Sequence, residues 1–406
     1  MKGNGCMLAN YRNVMLLMAA QACFLATSMT IVTFAGLAGI ATSPDPKFAT
    51  LPVTLSIVST ALTTAPMSMI MQRTSRRFGF RLGAAFGVIA ALVLSYAVYS
   101  GSFILLCAGA LLIGPFQSSA QYYRFAAAES VHPAFSPRAI SLVLIGGLIA
   151  SFFIPPLWRY FGALFADVDY LGAFIFAAII VACVFVPVGF LRPLNQSFQT
   201  DDQPDEPTTV RPLSAIVRQS GFVVAVVNAA LGYAMMSFVM TATPLAMEIC
   251  EIGSASADVI QKHVIAMFLP SLFSGYLIQR FGVFPILMAG HAAFAVAFMT
   301  ALSGIEVMHF SVALIALGLG WNFCFVGGTT LLTRVHTLEE KGRVQGLNEF
   351  LVFSTTGVAS FAAGLILNLY GWQTVNRLAF IMLVIAAGVT LVWGLMQQIR
   401  GAEASQ

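Results

Sequence analysis

The chain has 406 residues, of which 59% are hydrophobic and 9% charged, with a formal net charge of +4. A soluble domain carries about 25% charged residues, so water is excluded as the solvent for most of this surface, and with it a soluble enzyme or a nucleic-acid-binding domain. A helix crossing a hydrocarbon layer of ~30 Å needs about 20 apolar residues; this chain supplies such runs about a dozen times over.

In chain order, polar breaks divide the first half into apolar spans at 13–41, 50–72, 81–100, 102–127, 139–159 and 169–191. The first run is too long for the core of a secretory signal and is read as a transmembrane helix. A polar, Pro-containing segment over 192–220 follows, with Asp201, Asp202, Asp205 and Glu206, and reads as a linker. Six further spans lie at 221–247, 260–279, 284–304, 308–332, 344–370 and 374–398. The expected organisation is therefore a six-helix bundle over 1–191, a cytoplasmic linker over 192–220 and a second six-helix bundle over 221–406. With the N-terminus inside, sixteen of the twenty Lys and Arg fall on cytoplasmic loops, leaving Lys47, Arg159, Lys262 and Arg377 outside. That asymmetry follows the positive-inside rule and places both termini in the cytoplasm. The six cysteines are widely spaced, with no C-x-x-C pair, so neither a disulfide framework nor a zinc ribbon is expected.

The two halves echo one another. Arg77-Phe78-Gly79 follows the second span and Arg280-Phe281-Gly282 follows the eighth, 203 residues later. After the fourth span Arg124 precedes Glu129, and after the tenth Arg334 precedes Glu339, again five apart. The stretch from Gly275 to Gly282 resembles the loop signature G-x-L-x-D-R-x-G-R of the major facilitator superfamily, and Arg73 to Arg81 is a more degenerate copy. Arg76 and Gln279 stand where the family carries Asp. The resemblance implies an all-α integral membrane fold of about 12 transmembrane helices in two halves, working by alternating access.

Polar residues at membrane depth are costly and therefore candidates for function. Glu349, about one turn into the eleventh span, is the carboxylate placed to relay protons or to pair with a loop arginine such as Arg334 or Arg343. Arg124, with Gln121, Tyr122 and Tyr123, and Asn322, beside Trp321, are candidate cavity or coupling residues on the fourth and tenth spans. On the seventh span Met236 and Met240, and on the eighth His263 and Met267, are each four apart and share a helix face. If those faces meet, they make a ladder of thioether and imidazole donors descending from the outer surface, a set suited to Cu(I). Pro244 and Pro270 are expected to bend the two helices beside it. Ordinary packing is the alternative, since methionine is common in apolar helices and this chain has 18.

The paired M-x-x-x-M and H-x-x-x-M motifs resemble those of the CcoA-like copper importers, a bacterial branch of the superfamily that also includes proteins assigned to riboflavin uptake. The resemblance implies that Met236, Met240, His263 and Met267 carry copper across the inner membrane as a transported substrate, to a cytoplasmic copper acceptor such as a chaperone or glutathione. No resident cofactor is expected. The alternative expectation is a carrier of riboflavin or another small organic solute, with the methionines as packing and the fourth and tenth spans supplying the polar contacts.

Overall fold

A computed structural model of the protein describes residues 3–44, 48, 51–192 and 211–403; the acidic residues of the expected linker, Asp201 to Glu206, lie outside them. The described residues are helical, with no strand among them. In the first half the helices are α1 (Gly3–Thr42), α2 (Leu51–Arg73), α3 (Arg76–Ser100), α4 (Phe103–Leu112), α5 (Gly114–Ala120), α6 (Tyr123–Glu129), α7 (Ser136–Leu164), α8 (Leu171–Cys183) and α9 (Phe185–Gly189). In the second half they are α10 (Leu213–Val217), α11 (Ser220–Ile249), α12 (Ser256–Phe268), α13 (Ser274–Phe281), α14 (Val283–Ser303), α15 (Val307–Leu332) and α16 (Lys341–Glu403).

Ten helical stretches among the described residues are long and apolar enough to cross a membrane, and α12 with α13 makes an eleventh if that bent pair is one span. Its two parts meet at 46°, at a 3₁₀ turn over Leu269–Leu272 that contains Pro270, as expected where a proline removes a ladder hydrogen bond. Pro244, by contrast, sits inside an uninterrupted α11. Helix α16 is two helices joined at Gly371, whose φ of 77° is left-handed backbone that glycine adopts without strain. At 1.5 Å per residue its 63 residues are far longer than a single ~30 Å crossing, so α16 supplies two spans and the expected total of about twelve is reached. Large apolar side chains face outward, with Ile104 80%, Phe361 75% and Val358 70% exposed. In lipid that surface is at no disadvantage, and the chain is a multi-pass membrane protein.

The chain forms two compact units. One comprises 1–133, 142–210 and 339–350, so the first turns of α16 belong with the helices of the first half. In it α3 packs against α4, α5 and α8, and α2 against α4 and α5. The other comprises 134–141, 211–338 and 351–406, and therefore includes the start of α7. In that unit α15 is the central helix, packed along α11, α12 and α14, and it is the most enclosed of the spans. Gly318 lets α12 lie directly on α15: a β-carbon there would stand 2.8 Å from the carbonyl oxygen of His263 and 2.9 Å from the amide nitrogen of Met267.

Candidate functional site

The second unit gathers aromatic rings from four helices around Trp321. Trp321 and Phe325 are four apart on α15, one above the other, and stack with centroids 4.8 Å apart at 16°. Tyr233 of α11 meets both edge-on, at 5.5 Å and 5.6 Å, and lies 6.0 Å from Phe353 of α16. Phe268, the last residue of α12, approaches Trp321 at 5.8 Å. Trp321 is 3% exposed, yet its indole nitrogen has no hydrogen-bond partner among the described residues. A buried N–H usually finds an acceptor. This one is a donor set among ring faces, while Tyr233 and Phe353 are only half-buried and form the more open side of the cluster.

The four Met and His residues of the expected ladder belong to the same unit. Met236 is buried and Met240 half-buried on α11, where they continue at three- and four-residue spacing the face that carries Tyr233. His263 is fully buried on α12, and Met267 is 8% exposed. The ring of His263 is fixed to α15: Nδ1 lies 2.8 Å from the carbonyl oxygen of Leu314. Since a carbonyl only accepts, Nδ1 carries the proton and Nε2 the lone pair. Nε2 has no partner among the described residues. Packing along α15 is extensive for both α11 and α12, whereas the two touch each other only slightly. Among the described residues no three or more His, Cys, Asp or Glu side chains gather where they would hold a metal ion.

Asn322 is fully buried. Its side-chain nitrogen donates to the carbonyl oxygen of Met267 at 2.7 Å and to the hydroxyl of Ser271 at 2.7 Å. The two acceptors, one backbone carbonyl and one hydroxyl, flank Pro270 in the broken span. Asn322 therefore ties α15 to the broken span through one backbone and one side-chain acceptor, while its side-chain oxygen has no partner among the described residues.

Arg124 and Glu349, singled out separately in the sequence, are brought together in the first unit as a buried ion pair, the arginine 3% exposed and the glutamate not at all. Arg124 of α6 also donates through Nη1 to the carbonyl oxygen of Gln121 at 3.0 Å and to its side-chain oxygen at 3.2 Å. Asn348 donates to Glu349 Oε1 at 2.7 Å. The partner of Glu349 is thus Arg124 rather than the expected loop arginines Arg334 or Arg343. Beside this pair Arg76 of α3 bonds Glu129 of α6 at 2.6 Å and the side-chain oxygen of Gln345 at 2.6 Å, and Lys341 reaches Glu129 at 3.2 Å. The ring of Tyr122 lies beneath Arg76, 5.4 Å away. Sequence reasoning named Trp321 and Arg124 but missed Tyr233, Phe325, Phe353 and the Arg76–Glu129 pair. The four-residue spacing of Trp321 and Phe325 was a usable signal; the cross-helix pairs had none.

Comparison with known proteins fits this architecture. The family profile described as Major Facilitator Superfamily matches residues 17–257 and 259–402. The riboflavin transporter RfnT of Brucella anthropi is 38% identical over 374 residues, covering 91% of this chain and 92% of that protein. The MFS-type transporter YddS of Bacillus subtilis, itself uncharacterized, is 26% identical and covers 76% of each. Among solved structures, a bacterial homologue of the iron transporter ferroportin in an outward-facing state superposes with a TM-score of 0.72 at 16% identity, covering 95% of this chain and 99% of that one. The E. coli fucose:proton symporter FucP gives 0.70 at 14% identity, covering 93% and 98%. These two share the fold with this chain. By the profile and by its relatives, this chain belongs to the major facilitator superfamily.

Proposed function

We propose that this superfamily transporter is a secondary carrier of riboflavin or a closely related planar heteroaromatic solute. The observation that carries the reading is the Trp321 cluster, with its stacked and edge-on rings and a buried indole N–H without an acceptor among the described residues. A flat ring system bearing carbonyl oxygens and ring nitrogens suits both features: its faces pack on aromatic side chains, and its edge accepts from the indole. Such a solute carries no formal charge on its ring, and the rings of the cluster come from uncharged side chains. Met236 and Met240 extend the Tyr233 face with polarisable thioethers, which pack well against aromatic surfaces. The 38% identity to a protein named as a riboflavin transporter, over nearly the full length of both chains, supports the same choice.

Import of Cu(I) through Met236, Met240, His263 and Met267 is the competing reading. The lone pair of His263 at Nε2 favours it. The commitment of α12 to α15 weighs against a closed thioether–imidazole site, and none of the relatives above is named for copper. Expression in a riboflavin auxotroph separates the two: growth on low external riboflavin, with unchanged cellular copper, is the expected outcome. Copper accumulation without growth rescue would reverse the choice.

A further inference from the structure

The short helix α9 packs on both α1 and α3, and arginines from these elements gather at its last residues. Arg77 of α3 donates to the carbonyl oxygen of Gly189, and Arg12 of α1 reaches the carbonyl oxygen of Phe190 at 3.5 Å. Arg81 lies one turn along α3 from Arg77, on the same face, and its Nη2 would stand 3.8 Å from a β-carbon on Gly189. Arg192 follows two residues after Phe190. Its backbone is clamped by Asn13, whose side chain accepts from the Arg192 amide at 3.0 Å and donates to the Arg192 carbonyl at 3.3 Å. All four arginines are exposed.

None of the four has an ion-pair partner among the described residues. The buried acids of this unit are engaged elsewhere, Glu129 by Arg76 and Lys341 and Glu349 by Arg124. The carbonyl oxygens of Gly189 and Phe190 hold Arg77 and Arg12 in place but bring no net charge. A guanidinium has five N–H donors; these bonds use one on each, which leaves the others for an acceptor from outside the chain.

The rim of the cluster is apolar. Phe78, between Arg77 and Arg81 in sequence, is 50% exposed, and Phe190 and Val186 are each 61% exposed. A soluble phosphate or nucleotide would answer the charges and leave these side chains uncovered. We propose that Arg12, Arg77, Arg81 and Arg192 hold the headgroup of an anionic phospholipid, whose acyl chains cover Phe78, Val186 and Phe190. The planar fork of arginine suits phosphate oxygens in pairs. A zwitterionic headgroup would set its own ammonium among four cations, so the site selects a headgroup with net negative charge. This lipid site does not rest on the riboflavin reading.

The probe is phosphatidylglycerol, titrated onto the full-length protein in uncharged detergent, with bound lipid counted by native mass spectrometry. Wild type is expected to bind it more tightly than phosphatidylcholine. Arg77→Gln with Arg81→Gln should weaken phosphatidylglycerol about thirtyfold, equivalent to ~2 kcal/mol for two interfacial arginines, and leave phosphatidylcholine unchanged. Arg218→Gln with Arg280→Gln removes the same charge from exposed positions of the second unit and should leave both lipids unchanged. Equal losses in the two double variants, or no preference for phosphatidylglycerol in wild type, would overturn the proposal. Glycerol phosphate, the soluble headgroup, should not displace the lipid; displacement at equal concentration would give the site to a soluble anion and overturn the lipid assignment. A photoreactive phosphatidylglycerol keeps the test open if the first double variant fails to fold. On wild type its label is expected on 77–81 or 186–192, and labelling confined to other segments would overturn the proposal.

Discussion

Arg76 and Glu129 form a 2.6 Å ion pair in which each charge sits at the helix end that disfavours it. Arg76 is the first residue of α3, whose first turn holds no acid, and Glu129 is the last residue of α6. Cations belong at helix C-termini and anions at N-termini, so neither residue is stabilised by its own helix. Each depends on the other, and on Lys341 and Gln345, for compensation. The loop signature of the superfamily has Asp where this chain has Arg76, and here the acid comes from the end of the fourth span.

Reversing one charge therefore costs more than reversing both. Arg76→Glu places two carboxylates together in a buried setting and should destabilise by about 3–5 kcal/mol, the usual effect of breaking a buried pair. Arg76→Glu with Glu129→Arg should recover part of that loss, limited by Lys341, which would then face an arginine. Thermal unfolding in detergent measures both. Equal melting temperatures for the single and double variants would show that the pair is not an energetic unit.

Asn322 should behave as a structural residue. Asn322→Ala removes two donated hydrogen bonds at the Pro270 break and should cost about 1–3 kcal/mol, the penalty for leaving buried acceptors unanswered. Asn322→Asp should cost more, since a carboxylate oxygen would replace the donor facing the Met267 carbonyl. Melting temperatures in the order wild type, Ala, Asp are expected. A fully stable Asn322→Ala that had lost uptake would instead move Asn322 to the solute.

Gly318 sets the distance between α12 and α15. Its missing β-carbon would meet backbone atoms of His263 and Met267 at under 3 Å, and backbone cannot swing aside as a side chain does. Gly318→Val is expected to give little monodisperse protein in gel filtration. A normal yield and melting temperature would mean that the two helices separate at little cost.

His263 is expected to tolerate asparagine better than leucine. The side-chain nitrogen of asparagine can donate to the Leu314 carbonyl as Nδ1 does, whereas leucine leaves that carbonyl without its partner. Comparable riboflavin uptake and cellular copper in His263→Asn and wild type is the expected outcome. Copper accumulation abolished in a stable His263→Asn variant would restore the metal reading.

Much of the fold was legible because membrane burial writes itself in one dimension. Span positions need only apolar length and loop charge, and the bend at Pro270 needs only a missing N–H. The two spans of α16 were separable at 344–370 and 374–398, and Gly371 lies at their joint. Pairings between distant residues were not legible: Arg124 lies 225 residues from Glu349, and no local pattern selects one arginine for one glutamate. The Met236–Met240 and His263–Met267 spacings correctly put each pair on one face, but spacing on two helices does not say whether those faces meet. Here α11 and α12 each pack mainly on α15.

The most direct test of the account is riboflavin uptake by cells expressing wild type and Trp321→Leu, with membrane levels of both proteins matched. The account predicts saturable uptake by wild type and a fall of about tenfold in Trp321→Leu, equivalent to ~1.4 kcal/mol and within the range of an aromatic stack together with a hydrogen bond, with Trp321→Phe between the two. Wild-type uptake undiminished in Trp321→Leu, or no uptake by wild type, would contradict it.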